Sequence, residues 1–460
     1  MPQSALREIL EAADFRSADS PEIRGADPAV RTRYRVGAAG AAALGALGLA
    51  AARLWQSRGG RAQRVAVDLR AAAVSLRSSR YLAIDGKPLP PLWDPLSGFY
   101  PVRDGWISIH CNFANHRAAA LGVLGTGEDR GAAEQASRGW DGVALEDAIH
   151  AAAGCAGFVR AAPDWAKHPH AQAVALQPLL EIERIGAAPP EPLAPAARPL
   201  AGVRVLDLTR VLAGPTCARS LAEHGADVLK ISAAHLADSG PVELDTGIGK
   251  LSARLDLRAL AGVERLRALA READVFSQSY RPGALAARGF APQALAELRP
   301  GIVCVSLSAW GGTGPWRERR GFDSIVQSVS GMALASGEDG RPQLLPVSAI
   351  DYVSGYLMAF GATVALARRA EVGGSWHVRV ALARVGKWIV DRGVVPDDEW
   401  RGTPPDLPPE ELAPLLAEVD APDGRIRTLR PVVRMSETPP YWSRPPVPLG
   451  YHQAEWPPRG

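Results

Sequence analysis

The sequence predicts an α/β protein: a Rossmann-like parallel sheet with helices on both faces, plus a smaller α+β domain. Three observations predict it. Past residue 200, short β-branched runs alternate with helical stretches, the pattern of a parallel sheet covered on both sides. Length and composition allow two or three globular domains, with 460 residues of which 47% are hydrophobic and 22% charged. A Pro/Ala-rich stretch without periodicity, residues 187–199, divides the chain as a linker. The expected organisation is residues 1–186, the linker, a main half at 200–390 and a Pro-rich tail at 391–460. Within the first part, a helix–strand unit spans about 36–70 and a small domain about 98–186.

The elements follow in chain order. MPQSALREILEAADF reads as an amphipathic helix and lacks the apolar core of a signal peptide. Residues 36–54 are uncharged until Arg53, but alanine and glycine dominate, and residues that drive lipid insertion are few. This is a buried helix rather than a membrane span. GVRVLDLT, ADVLKIS, SARLDL, ADVFSQS and GIVCVSLSAW are strands, and helices are expected over 215–224, 262–272 and 284–298. Ligands in such sheets bind at the carboxyl ends of the strands. Residues 37–69 and 352–382 each read as apolar helix, glycine-containing break and strand, which indicates an internal repeat. In the first copy the position of Asp351 falls on Val36 or Gly37. After Val395 a short acidic helix is expected over 408–419, followed by a segment too irregular for a core. Trp442 and Trp456 are candidates to pin that segment onto the main body.

Charge and cysteines narrow the function. The net charge is +3, with 52 basic and 49 acidic side chains interspersed, so no arm for nucleic acid is expected. Four scattered cysteines form no CxxC pair, which fits a reducing cytoplasm and no zinc site. Nine histidines form no ligand cluster, and His168-Pro-His170 is expected on a surface turn. There is no GxGxxG after the first strand, no P-loop and no GxSxG elbow, so NAD, ATP and serine-hydrolase readings lose their usual support.

Asp351 is the main candidate for chemistry. It opens an apolar helix, where the dipole is expected to lower its pKa and keep it anionic. An anionic carboxylate is a competent nucleophile toward an activated acyl group. Aspartate is also among the best helix caps, and the pattern leaves both roles open. Gly355 shares its helix face, and close approach of a ligand is the expected reason for a mid-helix glycine. The turn Gly311-Gly-Thr-Gly314, with Arg317, Arg319 and Arg320 beyond it, has the makings of an anion cradle or of a solvated turn.

Taken together, several segments resemble the family III coenzyme A transferases (CaiB/BaiF family). They include LAGVRVLDLTRVLAGPTCARSLAEHGADVLKI, ADVFSQSYRPGALAARGF, SLSAWGGTGPW, GFDSIVQSVSGMA and the Asp351 helix. GFYPVRDGWISIHC and PDWAKHPHAQAVALQPLLEIERIG resemble the family's small domain, here placed first, as in two fused and truncated copies. The resemblance implies a cytoplasmic CoA-transferase moving CoA from an acyl-CoA to a carboxylic acid. It also implies a homodimer, coenzyme A as substrate, and no metal or NAD. Asp351 is the implied nucleophile, forming an aspartyl-CoA thioester. CoA contacts are implied at Leu212, Ala213, Ser279, Tyr280, Arg281, Arg319, Arg320, Gly321 and Phe322. The racemase branch has a histidine where Phe322 stands, which disfavours racemase or isomerase chemistry. A glutamine that the formyl-CoA branch uses near Leu212 is missing. A non-catalytic CoA-binding or scaffold relative is the alternative.

Overall fold

The computed structural model describes residues 1–459. Its centre is a seven-stranded sheet. Along the chain the strands are β1 (Glu181–Gly186), β2 (Arg204–Leu208), β3 (Asp227–Ser232), β4 (Lys250–Arg254), β5 (Val275–Gln278), β6 (Val303–Ser308) and β7 (Ser375–Ala381). Their spatial order is β4-β3-β2-β5-β6-β7-β1, and only β1 runs antiparallel, against β7. The chain winds outward from β2 to β4, then returns to β5 on the other side of β2. The crevice at the carboxyl ends of β2 and β5 is therefore the topological switch point, where doubly wound sheets bind ligands. Every residue of β2 is buried, as a central parallel strand requires. Asp207 is compensated there by Lys250 Nζ at 2.8 Å.

Three helices shape the site: α1 (Val36–Ser57), α2 (Ala213–Glu223) and α3 (Ala349–Val372). α3 packs against α1, α2 and β7. Both α1 and α3 are long and apolar enough to cross a membrane, and both are buried inside the protein. Composition explains the burial: alanine and glycine on all sides let backbones approach closely. Gly355 is the clearest case. A Cβ there would lie 2.5 Å from the Ala213 carbonyl oxygen of α2, so this glycine serves helix packing rather than a ligand.

The repeat has a structural counterpart. Strand Val65–Asp68, after α1, pairs parallel with Glu22–Arg24 and antiparallel with Arg434–Met435. β7, after α3, likewise has one parallel neighbour, β6, and one antiparallel neighbour, β1. A separate sheet of Gly98–Val102, Gly105–Ile109 and Ala156–Phe158, with its own helices and core, forms the small α+β unit. The two parts of the chain are joined by a buried polar network. Ser78 Oγ and Tyr352 OH both donate to Asp245 Oδ2, at 2.7 and 3.0 Å, and Arg219 pairs with the same carboxylate. Arg58, just past α1, donates to the carbonyls of Ala194, Pro199 and Ala201 and ties α1 to the linker.

Some expectations fail for identifiable reasons. The helix expected over 284–298 breaks into a short turn, Ala286–Arg288, and a helix at Pro292–Leu298. Gly289, at φ +85°, ends the first piece and Pro292 starts the second. The acidic helix expected over 408–419 is only Pro409–Leu412; Leu416–Ala421 and Gly424–Leu429 form a β-hairpin instead. The Pro422-Asp423 turn, followed by Gly424 at φ +121°, was the legible signal. His170 is fully buried, not on a surface turn: its Nε2 meets the Trp310 carbonyl and its Nδ1 accepts from Trp316 N–H. Trp442 and Trp456 do pin the tail, donating to the carbonyls of Arg219 and Leu269.

Candidate active site

A cleft of about 800 Å³ opens where the two parts of the chain meet. From the first part of the chain, residues 77, 79, 80, 82, 88–94, 110, 112 and 113 line it. From the second part come Val211, Leu212, residues 238–242, Phe322, the start of the helix Asp323–Val329 and the segment 344–348, and Asp351 faces into it. β2 leads straight to this wall. Val211, the third residue after the end of β2, is held at φ +68°. A β-branched residue in that region is strained by about 1–3 kcal/mol, a cost that concentrates at functional sites.

Asp351 is only 8% exposed. Its backbone N–H donates to Asp323 Oδ2 at 3.0 Å, so the helix end is capped by Asp323, not by Asp351 itself. Asp323 Oδ1 is held by Gln327 Nε2, whose amide oxygen accepts Leu345 N–H at 2.8 Å. Among the described residues, nothing donates to the Asp351 carboxylate. Burial and then the negative Asp323 beside it raise its pKa well above the ordinary value. Asp323 is itself pushed up to about 6 by burial. The expectation that the helix end keeps Asp351 anionic is thus overturned: desolvation wins because the free N–H groups point at its neighbour. Two carboxyls with raised pKa values share one corner of the cleft, which is a recognised signature of chemical function.

An aromatic wall stands beside them. His110, at the end of strand Gly105–Ile109, stacks on Phe322 with ring centroids 3.9 Å apart and planes 11° from parallel. Phe113 and His116 complete the cluster, and Trp93 meets His110 edge-on at 5.9 Å. Neither ring nitrogen of His110 has a hydrogen-bond partner among the described residues. Burial drives its pKa down to about 3, so the ring is neutral. Burial, then the fields of Arg320, Arg210 and Arg281, push His116 down to about 4. Those three arginines converge on one spot, and none has a carboxylate within 4.0 Å among the described residues. The Arg210 guanidinium lies 5.3 Å over Phe113, and Arg281 depresses the pKa of Arg320 after burial does.

Of the residues singled out from the sequence, Leu212, Phe322 and Asp351 line the cleft. Ser279, Tyr280 and Arg281 follow β5 at the switch point, where Ser279 Oγ accepts Arg210 N–H at 3.1 Å. Ala213 lies at the α2–α3 contact. Gly321 packs against Trp310, whose Nε1 donates to the Arg320 carbonyl at 3.1 Å. Arg319 is engaged elsewhere, paired with Asp147 at 2.5 Å and lying over Trp316. The glycine turn 311–314 packs against Gln177 and His170 and does not line the cleft. Sequence reasoning missed Asp323, His110, Arg210 and the apolar loop 88–93. A charged residue opening an otherwise apolar helix was the available signal for Asp323, and a Pro-Leu-Pro-Pro-Leu-Trp run was the signal for the loop.

Residues 22–190 and 200–406 match the sequence model described as CoA-transferase family III. An acetyl-coenzyme A transferase of Hypoxylon pulicicidum is 36% identical over 211 residues, which cover 44% of this chain and 36% of that protein. Human succinyl-CoA:glutarate CoA-transferase is 35% identical over 181 residues, covering 36% of this chain and 41% of that one. Among solved structures, a CaiB/BaiF family protein from Brucella suis is 29% identical with a TM-score of 0.40, covering 43% of this chain and 57% of that one. The chain spans between 36% and 52% of the length of these and similar curated relatives.

Proposed function

Because the chain belongs to CoA-transferase family III, we propose that it transfers coenzyme A from an acyl-CoA donor to a carboxylic acid acceptor, with Asp351 as nucleophile. The observation that carries this reading is Asp351 itself, an uncapped carboxyl facing a large cleft beside a second carboxyl that holds its helix. In its ionised form Asp351 attacks the thioester carbonyl. The C–S bond breaks, CoA leaves as thiolate, and a mixed anhydride forms. The thiolate then attacks the aspartyl carbonyl and releases the first carboxylate, leaving an aspartyl-CoA thioester. The acceptor carboxylate attacks that thioester, forming a second anhydride, from which the thiolate takes the new acyl group and frees Asp351. Electrons and charge balance at each step with no metal ion or redox cofactor.

The CoA phosphates fit the switch-point crevice in this reading. Arg210, Arg281 and Arg320 crowd there without counterions, and charge-assisted contacts to an anion would relieve their mutual repulsion. Ser279, Tyr280 and Gly321 border that crevice, and Leu212, Ala213 and Phe322 connect it to the nucleophile. Arg319 takes the supporting role of fixing the loop through Asp147. Each chain carries its own cleft, and a homodimer in this reading is an assembly of two such units. Light scattering in solution tests that assembly.

Intact-mass measurement after mixing with acyl-CoA tests the chemistry. A covalent CoA or acyl adduct, mapped to Asp351 and lost in Asp351→Asn, is the expected result. Tight CoA binding without any adduct or transfer would favour the alternative of a non-catalytic relative.

A further inference from the structure

We propose that the acyl group carried into this cleft is apolar, an aliphatic chain or an aromatic acid, rather than a short dicarboxylic acid. This rests on the reading above that the cleft holds an acyl-CoA. The residues that lead into Asp351 are Leu344, Leu345, Pro346 and Val347, with Leu345 and Val347 almost fully buried. The loop 88–93, Pro-Leu-Pro-Pro-Leu-Trp, lines the same cleft. Trp93, also in its lining, leaves 44% of its surface uncovered, an unusual exposure for a tryptophan. Apolar side chains left open around a cleft mark a surface that an apolar ligand covers.

The charges argue in the same direction. A succinyl or glutaryl group brings a second carboxylate, which needs a free cation inside the cleft. Two arginines line it. Arg77 is buried and already committed to Tyr81 OH, the Pro405 carbonyl and Asp406. Arg80 is exposed to solvent, with Asp406 at 3.9 Å. The charged group next to Asp351 is Asp323, which repels a second carboxylate. The unpaired cations Arg210, Arg281 and Arg320 do not line this cleft. A volume of about 800 Å³ leaves room for a substantial chain.

Calorimetric titration of Asp351→Asn with a series of CoA thioesters tests the proposal: acetyl, butyryl, hexanoyl, octanoyl, phenylacetyl, succinyl and glutaryl. Affinity should rise up to about fourfold per added methylene, and succinyl-CoA should bind more weakly than butyryl-CoA. Trp93→Ala should flatten the rise with chain length while leaving the affinity for free CoA unchanged. A flat series, or succinyl- or glutaryl-CoA binding more tightly than butyryl- and hexanoyl-CoA, overturns the proposal. If Asp351→Asn does not fold, the native protein with thioether analogues, which have no thioester to cleave, gives the same series. Intact mass of the native protein with each thioester separates this from the transfer reading. Binding that climbs with chain length but leaves no adduct sinks the covalent chemistry and keeps the acyl class.

Discussion

Helices α1 and α3 are built alike and differ in the group each carries at its start. Each is apolar almost all round, and each precedes a strand with one parallel and one antiparallel neighbour. Each is also capped by a carboxylate from an earlier segment. Asp27 accepts from the N–H groups of Gly37 and Ala38 at 3.0 and 2.9 Å, as Asp323 does from Asp351. At the start of α3 a second carboxyl, Asp351, faces the cleft, whereas α1 has Val36 and Gly37 there. The cap is therefore scaffold and occurs in both copies. The second buried carboxyl is not needed for the helix, and burying it beside a like charge costs stability. A costly group present at only one of the two helix starts marks that start as the candidate for function.

The comparison breaks most sharply at Asp351, the proposed nucleophile. Asp351→Asn should remove adduct formation and transfer altogether while leaving CoA affinity within about threefold of native, since no charge-assisted phosphate contact is lost. Gly37→Asp should not create a second site. A Cβ on Gly37 would lie 2.5 Å from Asp27 Oδ1 and from Leu69 Cδ2, so the new carboxyl would be buried and crowded. A loss of about 3 kcal/mol in chemical unfolding is expected. Adduct mapped to residue 37 in this variant would show the two helix ends to be interchangeable.

The glycines give the next contrast. Gly355→Ala should cost about 1–3 kcal/mol, because the methyl meets a backbone oxygen of α2 that has nowhere to move. Gly40, in the first turns of α1, has Leu76 methyls at 3.4 Å and the Ala72 carbonyl oxygen at 3.6 Å around its virtual Cβ, ordinary van der Waals distances. Gly40→Ala should be neutral or stabilising by up to about 1 kcal/mol through helix propensity. Equal melting shifts for the two substitutions would remove the asymmetry in packing.

Much of this was legible in the sequence, and the remainder fails for physical reasons. β-branched runs between helical segments gave the strands of the parallel sheet because central strands are buried on both faces and so read as continuous apolar stretches. Asp351 stood out because it is a charge at the head of an otherwise apolar run. Its protonation was misread because local pattern cannot reveal that Asp323, twenty-eight residues earlier, takes the helix N–H. His110 was invisible for the same reason: its importance comes from stacking on Phe322, more than two hundred residues away. Gly355 was assigned to a ligand because a sequence shows that something comes close, not what.

Raised carboxyl pKa values carry a sign that stability measurements read directly. A carboxyl whose folded pKa lies above its unfolded value loses stability as pH rises from the unfolded pKa through the folded one. Asp323 does so between roughly pH 4 and its folded value of about 6, and Asp351 extends the loss upward. Asp351→Asn should then gain on the native protein as pH rises from 4 to 8. Melting curves of both at the two pH values check it, and a gap that stays constant or narrows argues against the carboxyl pair.

The two caps provide the finest test. Asp27→Asn and Asp323→Asn each keep one acceptor oxygen at a helix end and remove one charge. The stability loss at Asp27 should be about 0.5–1 kcal/mol, the lower part of the range for a weakened cap. Transfer should be unchanged, because Asp27 faces α1, which has no carboxyl to influence. At Asp323 the same substitution removes the like charge beside Asp351. The Asp351 pKa should fall toward the ordinary range, and the rising limb of the transfer rate should move to lower pH. The measurement is the transfer rate against pH for native protein and both variants, with acyl-CoA held well above saturation. A shift with Asp323→Asn alone assigns the raised pKa to the pair in α3. An equal shift with Asp27→Asn would mean that the effect spreads through the packed α1–α3 interface, and the two helix ends would then have to be treated as one electrostatic unit.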